Sequence, residues 1–170
     1  MSYNILFVCS GNTCRSPMAA YLGAAVAGEL FPAGDYRFDS AGIATSDGYP
    51  PSENAVAVMA ERGIDISGHR SKRYQYYMNN VADLVVCMTP LHRAALCREY
   101  PEFAAKFKVI GEVSGTGKEI PDPYLGSVSL YRHTREALER EITALLKNID
   151  MNRKNKNNKN NKNNREEQEK

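Results

Sequence analysis

Cys9, Arg15 and Ser16 stand at the spacing C-x5-R-S, inside the run Ile5-Leu-Phe-Val-Cys9-Ser-Gly-Asn-Thr-Cys14-Arg15-Ser16-Pro17. These residue types suit phosphoryl chemistry. A cysteine thiolate is a strong nucleophile. An arginine fork matches two phosphate oxygens, and a helix start offers amides and a positive dipole end to an anion. Far along the chain, Asp122 lies between Pro121 and Pro123 on a rigid backbone. Attack on phosphorus expels a group that needs a proton; a carboxylic acid can give that proton and then take one from water. Plainer readings exist for both: a small apolar cysteine closing a buried strand, and a D-P turn. The company of Gly11, Asn12, Arg15, Ser16 and Pro17 favours chemistry for Cys9, and the loop in turn favours it for Asp122.

Such a loop needs a strand before it and a helix after it. Residues 4–8 are short, apolar and rich in branched and aromatic side chains, as a buried strand is. Ser16-Pro17 opens a helix, and Met18, Ala19, Tyr21, Leu22, Ala25 and Val26 recur at helical spacing. Gly11 lets the backbone approach a ligand, and the amides of residues 10–15 are expected to form a concave nest. Ser16 is expected to donate its hydroxyl to the sulfur. The nearby cation and helix end are expected to lower the pKa of Cys9.

Further strand patterns fall at 36–39, 84–88 and 107–110, and helical ones at 17–30, 52–62, 90–99 and 128–146. In the last helix Leu130, Tyr131, Thr134, Leu138, Ile142 and Leu145 share a face. Strands alternating with helices predict an α/β domain with a parallel sheet and right-handed crossovers. Ligands in such folds sit at the C-terminal strand ends, where Cys9 falls. Residues 1–149 read as one domain. Residues 150–170 are almost wholly Asn, Lys, Arg, Glu and Gln, and read as a disordered polar tail that cannot bury enough surface to order itself. Its glutamates and lack of aromatics argue against a nucleic-acid arm.

Composition narrows the classes. In 170 residues, 42% hydrophobic content suffices for a core, and a net charge of +2 gives no push toward nucleic acid or membrane. No stretch is long and apolar enough to span a bilayer. Met1-Ser-Tyr-Asn runs straight into the first strand, so no signal peptide is expected. The cysteines at 9, 14, 87 and 97 lack a zinc pattern. The expectation is a cytoplasmic monomer with no metal or other cofactor.

The loop resembles that of the low-molecular-weight protein tyrosine phosphatase family, V-C-x-G-N-x-C-R-S-P, which residues 8–17 match throughout. Ile120-Pro-Asp122-Pro123-Tyr124 is similar to the family's late D-P-Y segment, whose Asp is the general acid. Ser40-Ala41-Gly42 and Gly68-His69-Arg70-Ser71 match two further segments. The resemblance spans about residues 3–149. It implies a four-stranded parallel sheet with helices on both faces and the phosphate loop between strand 1 and helix 1. It also implies phosphorylated proteins as partners and hydrolysis through a cysteinyl-phosphate. Cys9, Arg15 and Asp122 would be catalytic; Ser10, Gly11, Asn12, Thr13, Cys14, Ser16 and Tyr124 would bind substrate. Asn12, Ser40 and His69 would brace the loop, though a capping or core role serves Ser40 and His69 as well. Tyr124 would stand on the substrate rim or pack on the last helix. Cys14 would either form a reversible disulfide with Cys9 or fill the core.

Thr13 departs from many tyrosine phosphatases of this family, which carry a bulky aliphatic residue there; the arginine-phosphatase branch carries Thr. That branch usually has Phe-Gly where this chain has Tyr124-Leu125, so phosphotyrosine and phosphoarginine both remain open, with Thr13 leaning toward phosphoarginine. Two other readings compete. An arsenate reductase of the same fold needs a C-x6-C relay, whereas Cys87 and Cys97 are separated by nine residues. A non-catalytic phosphate-binding module would need neither nucleophile nor acid.

Overall fold

Tyr3–Cys9 forms the central strand, β1, and its side chains alternate between two cores. The computed structural model describes residues 2–32 and 34–168, without the side chains of 157–168. Ile5, Phe7 and Cys9 join one buried cluster; Leu6 and Val8 join the other. A strand buried on both faces should read as a continuous apolar run, and residues 5–9 do. Around β1 lie β2 (Tyr36–Gly42), β3 (Leu84–Cys87) and β4 (Phe107–Val109), in the order β2-β1-β3-β4 with every pairing parallel.

Helices cover both faces. On one lie α1 (Arg15–Leu30), α2 (Glu53–Ala60) and the last helix, α6 (Val128–Gln168), contributing Met18, Leu22, Val58, Met59, Leu138, Ile142 and Leu145. The other holds α3 (Met78–Val81) and α4 (Pro90–Glu99), contributing Met78 and Leu96. A 3-10 turn at Pro101–Lys106 and the short α5 (Ile110–Ser114) had no clear sequence period, being too brief to show one. Connections leave β1 toward β2 on one side and continue from β3 to β4 on the other. The C-terminal ends of β1 and β3 therefore flank the switch point, which is where this architecture places ligands.

Two expectations for α6 need correction. Leu130 does not share the buried face: it is 45% exposed, whereas Tyr131, Thr134, Leu138, Ile142 and Leu145 are buried. The helix also does not stop near residue 146. Backbone helix continues to Gln168; residues 169 and 170 lie outside the described residues. Nothing in residues 128–170 is Gly or Pro, so no residue breaks the helix. Asp150 and Lys154 form an i,i+4 ion pair at 2.7 Å. The Arg153 guanidinium lies 5.2 Å from the ring centre of Tyr3 and 5.3 Å from that of Tyr36. Among the described residues no helix is long and apolar enough to cross a membrane.

These contacts separate the two parts of the extension. Arg153→Ala should lower the melting temperature by about 1–4 °C, since a cation over the partly buried faces of Tyr3 and Tyr36 is worth about 0.5–1 kcal/mol. Removing residues 157–170, which hold no apolar side chain, should leave melting temperature and turnover unchanged. Thermal denaturation of both variants checks this.

Candidate active site

Asn12 is where the loop is fastened. It is fully buried and left-handed, with φ at 53°, a conformation Asn tolerates better than most residues. Its Nδ2 donates to Ser16 Oγ (2.8 Å) and Ser40 Oγ (2.9 Å). Its Oδ1 accepts the Lys72 amide at 2.8 Å, and its carbonyl accepts His69 Nε2 at 2.8 Å. Its own amide points at the Cys9 sulfur, 3.3 Å away. Ser40 and His69 are thus both brought to the loop at Asn12. Burial lowers the His69 pKa, with the Asn12 carbonyl acting in the opposite direction.

Cys9 ends β1 against Gly42 of β2. A Cβ on Gly42 would lie 2.6 Å from the Ser10 carbonyl oxygen, so the close approach that demands glycine is here. At Gly11 an added Cβ would meet nothing nearer than Thr13 Oγ1 at 3.6 Å. Ser16 Oγ sits 3.0 Å from the Cys9 sulfur and 3.3 Å from the Ala41 carbonyl. The hydroxyl has one proton for these two acceptors, and a thiolate is the stronger.

Burial pushes the Cys9 thiol up, and the Ser16 hydroxyl, the Arg15 charge and the Asn12 amide pull it back. The net direction is upward, against the expectation drawn from the loop's positive character. The reason is complete enclosure of the sulfur, 2% exposed, which penalises the charged form.

Arg15 is 4% exposed and Asp122 51%. Nη2 of Arg15 meets Asp122 Oδ2 at 3.0 Å and Nη1 donates to the Ile120 carbonyl at 3.1 Å. Nε is buried with no hydrogen-bond partner among the described residues. An unpaired buried donor costs about 1–3 kcal/mol, and this one belongs to a group shaped to bind an oxyanion. The Tyr124 amide donates to Asp122 Oδ1 at 3.2 Å. Residues 9–15 line a cleft of about 310 Å³ with Ala44, Thr45, Asp122 and Tyr124, small enough to suit one modified side chain. Tyr124, 66% exposed, stands at the open side of this cleft.

Cys14 Sγ donates to Ser52 Oγ (3.3 Å) and lies 3.2 Å from the Tyr131 hydroxyl, which ties the loop to the start of α2 and to α6. Cys87 lies in β3 with its thiol pushed up to about 12 by burial, a poor start for a relay between cysteines. Among the described residues no group of three or more His, Cys, Asp or Glu is arranged to hold a metal ion. The sequence reading missed Ala44, Thr45, the Ile120 carbonyl and His92, whose ring reaches Ser10 at 2.9 Å. Three of these carry no motif. For His92 the only signal was its place in the first turn of a helix behind Thr89-Pro90.

A parallel α/β sheet with a cysteine-arginine phosphate loop at its switch point and a carboxylate across the cleft defines a class of cysteine phosphatase. Residues 4–156 match the model of the low molecular weight phosphotyrosine protein phosphatase family, and the chain belongs to that family. A protein-arginine-phosphatase of Geobacillus stearothermophilus is 37% identical over 150 residues, 88% of this chain and 97% of the relative. Among solved structures, a low molecular weight protein tyrosine phosphatase from T. tengcongensis superposes with a TM-score of 0.81 at 40% identity, covering 86% of this chain and 99% of its own. A mutant of YwlE from Bacillus subtilis gives a TM-score of 0.83 at 31% identity, covering 88% and 99%. The chain is thus a low molecular weight protein phosphatase.

The Ser16 contact yields a signed prediction. Removing a hydroxyl that favours the thiolate raises the Cys9 pKa further, so the ascending limb of kcat/KM against pH moves to higher pH in Ser16→Ala. Alkylation of Cys9 by iodoacetate at neutral pH should slow about tenfold, the weight of one hydrogen bond to a charged group. An unmoved limb would show that Ser16 serves Asn12 and not the sulfur.

Proposed function

We propose that this phosphatase acts on phosphorylated side chains of proteins through a cysteinyl-phosphate on Cys9, and that phosphoarginine is preferred over phosphotyrosine. The observation that carries the mechanism is the convergence of Cys9, Arg15 and Asp122 on one cleft. The Cys9 thiolate attacks phosphorus as the bond to the leaving guanidine nitrogen, or phenol oxygen, breaks. Asp122 gives its proton to that leaving group. Water then loses a proton to Asp122 while its oxygen attacks the phosphocysteine; the S–P bond breaks, phosphate departs, and thiolate and acid are restored. Before substrate enters, Asp122 holds Arg15 Nη2. A phosphoryl oxygen that takes this guanidinium edge, together with the orphan Nε, releases the carboxyl toward the leaving group.

For substrate choice the support is Thr13. It lines the cleft between Asn12 and Cys14, where an aliphatic side chain would offer a phenyl ring a dry wall. A hydroxyl suits the planar, polar guanidinium of phosphoarginine, and Asp122, once it has given up its proton, pairs as a carboxylate with the guanidinium released. The Geobacillus relative named as a protein-arginine-phosphatase agrees with this.

Three measurements test the reading. Cys9→Ser should lose turnover of p-nitrophenyl phosphate and keep phosphate affinity. Asp122→Asn should slow phosphotyrosine peptides by about two to four powers of ten and the activated nitrophenyl ester by much less; equal loss on both would make the D-P segment structural. Thr13→Ile should cut the ratio of kcat/KM on phosphoarginine to that on phosphotyrosine by about ten- to a hundredfold, the worth of one lost polar contact in a closed pocket. A constant ratio would remove the preference and leave the mechanism standing.

A further inference from the structure

The residue after the nucleophile is held by a side chain that neither β1 nor α1 supplies. Ser10 Oγ lies 2.9 Å from His92 Nε2, and the other ring nitrogen, Nδ1, lies 3.1 Å from Thr89 Oγ1. Thr89 caps α4 and accepts the His92 backbone amide at 3.4 Å. The imidazole is therefore fixed by the same hydroxyl that starts its helix. The residue is only 5% exposed. Burial, then the Arg15 charge, push its pKa down to about 4, with Asp122 acting the other way. A neutral ring has one N–H and one lone pair, and both face a hydroxyl here.

A satisfied histidine at a helix start is common and needs no function. What distinguishes this one is its partner. Ser10 belongs to another element, lines the cleft, and is held from the opposite side where the Ala44 amide donates to its carbonyl at 3.0 Å. His92 reaches it because α4 follows β3, the neighbour of β1 across the switch point. His69 holds the loop at Asn12, so two histidines from different connections fasten successive parts of one cradle.

We infer that His92 is a positioning residue of the phosphate loop, acting through the Ser10 hydroxyl to fix the first turn of the cradle. The inference rests on the phosphatase reading of that loop. In one ring tautomer Nε2 accepts the Ser10 proton. In the other Nε2 donates, and the Ser10 proton is free to meet a phosphoryl oxygen. Either way Ser10 Oγ is held in place and leads into Gly11 in a fixed direction.

A cradle that grips the phosphoryl group equally in ground and transition states acts on KM and not on kcat. His92→Ala and Ser10→Ala should each raise KM for p-nitrophenyl phosphate and the inhibition constant of inorganic phosphate by about five- to tenfold, with kcat within about twofold. The double variant should be no worse than the weaker single, because the two act as one contact. His92→Gln, which keeps a donor and an acceptor, should recover most of the loss. Melting temperatures are read alongside; if His92→Ala fails to fold, Ser10→Ala and His92→Gln carry the test. Unchanged phosphate inhibition in folded variants, or additive effects in the double variant, would overturn the inference while wild-type turnover leaves the loop reading intact. A wild-type protein that neither binds phosphate nor turns over would sink both.

Discussion

Everything at the site hangs on the buried side chain of Asn12. Both of its amide protons, its amide oxygen and both its backbone polar groups are engaged. These bonds reach Ser16 on α1, Ser40 on β2, the segment carrying His69 and Lys72, and the sulfur of Cys9. Losing such a hub strands several buried polar groups at once, each at a cost of about 1–3 kcal/mol. The loop can hold a left-handed residue and a desolvated sulfur because the network specifies that conformation from four directions.

The second constraint is the opposition between burial and charge at Cys9. Enclosure raises the thiol pKa, and the groups that lower it are the ones arranged for a phosphoryl group. Arg15 shows the same tension: its guanidinium is almost wholly buried, one edge rests on Asp122 and a carbonyl, and Nε is left over. A phosphate dianion would satisfy that donor. On the proposed mechanism the ligand completes the site, and Asp122, the proposed acid, is held by the residue that ligand would engage.

Much of this was legible because it is local. The run from Cys9 to Pro17 supplies nucleophile, anion site and helix start in consecutive residues, and period-2 and period-3.6 patterns gave the strands and the longer helices. What escaped depends on distance in sequence. Gly42 is needed because β2 pairs with β1 beside the Ser10 carbonyl, a matter of register. The Ile120 carbonyl and the His92 ring enter through strand order, which no single segment encodes. The direction of the Cys9 pKa was misjudged because charge can be counted along a loop whereas burial cannot. The end of α6 was placed too early since composition indicated low hydrophobicity, whereas the aromatic faces of Tyr3 and Tyr36 that meet Arg153 come from β1 and β2, far from α6 in sequence.

The central claim is covalent: the phosphoryl group passes through the Cys9 sulfur in the cradle that Asn12 fastens. Acid quenching of a turnover mixture within its first cycle, followed by mass analysis of the peptide holding residues 9–15, tests it most directly. With p-nitrophenyl phosphate, whose leaving group needs little help from an acid, the account predicts one phosphoryl group on Cys9, accumulating further when Asp122→Asn slows attack by water. A turnover-competent protein with no phosphoryl group on that peptide at any quench time, or one carrying it elsewhere, would contradict the account.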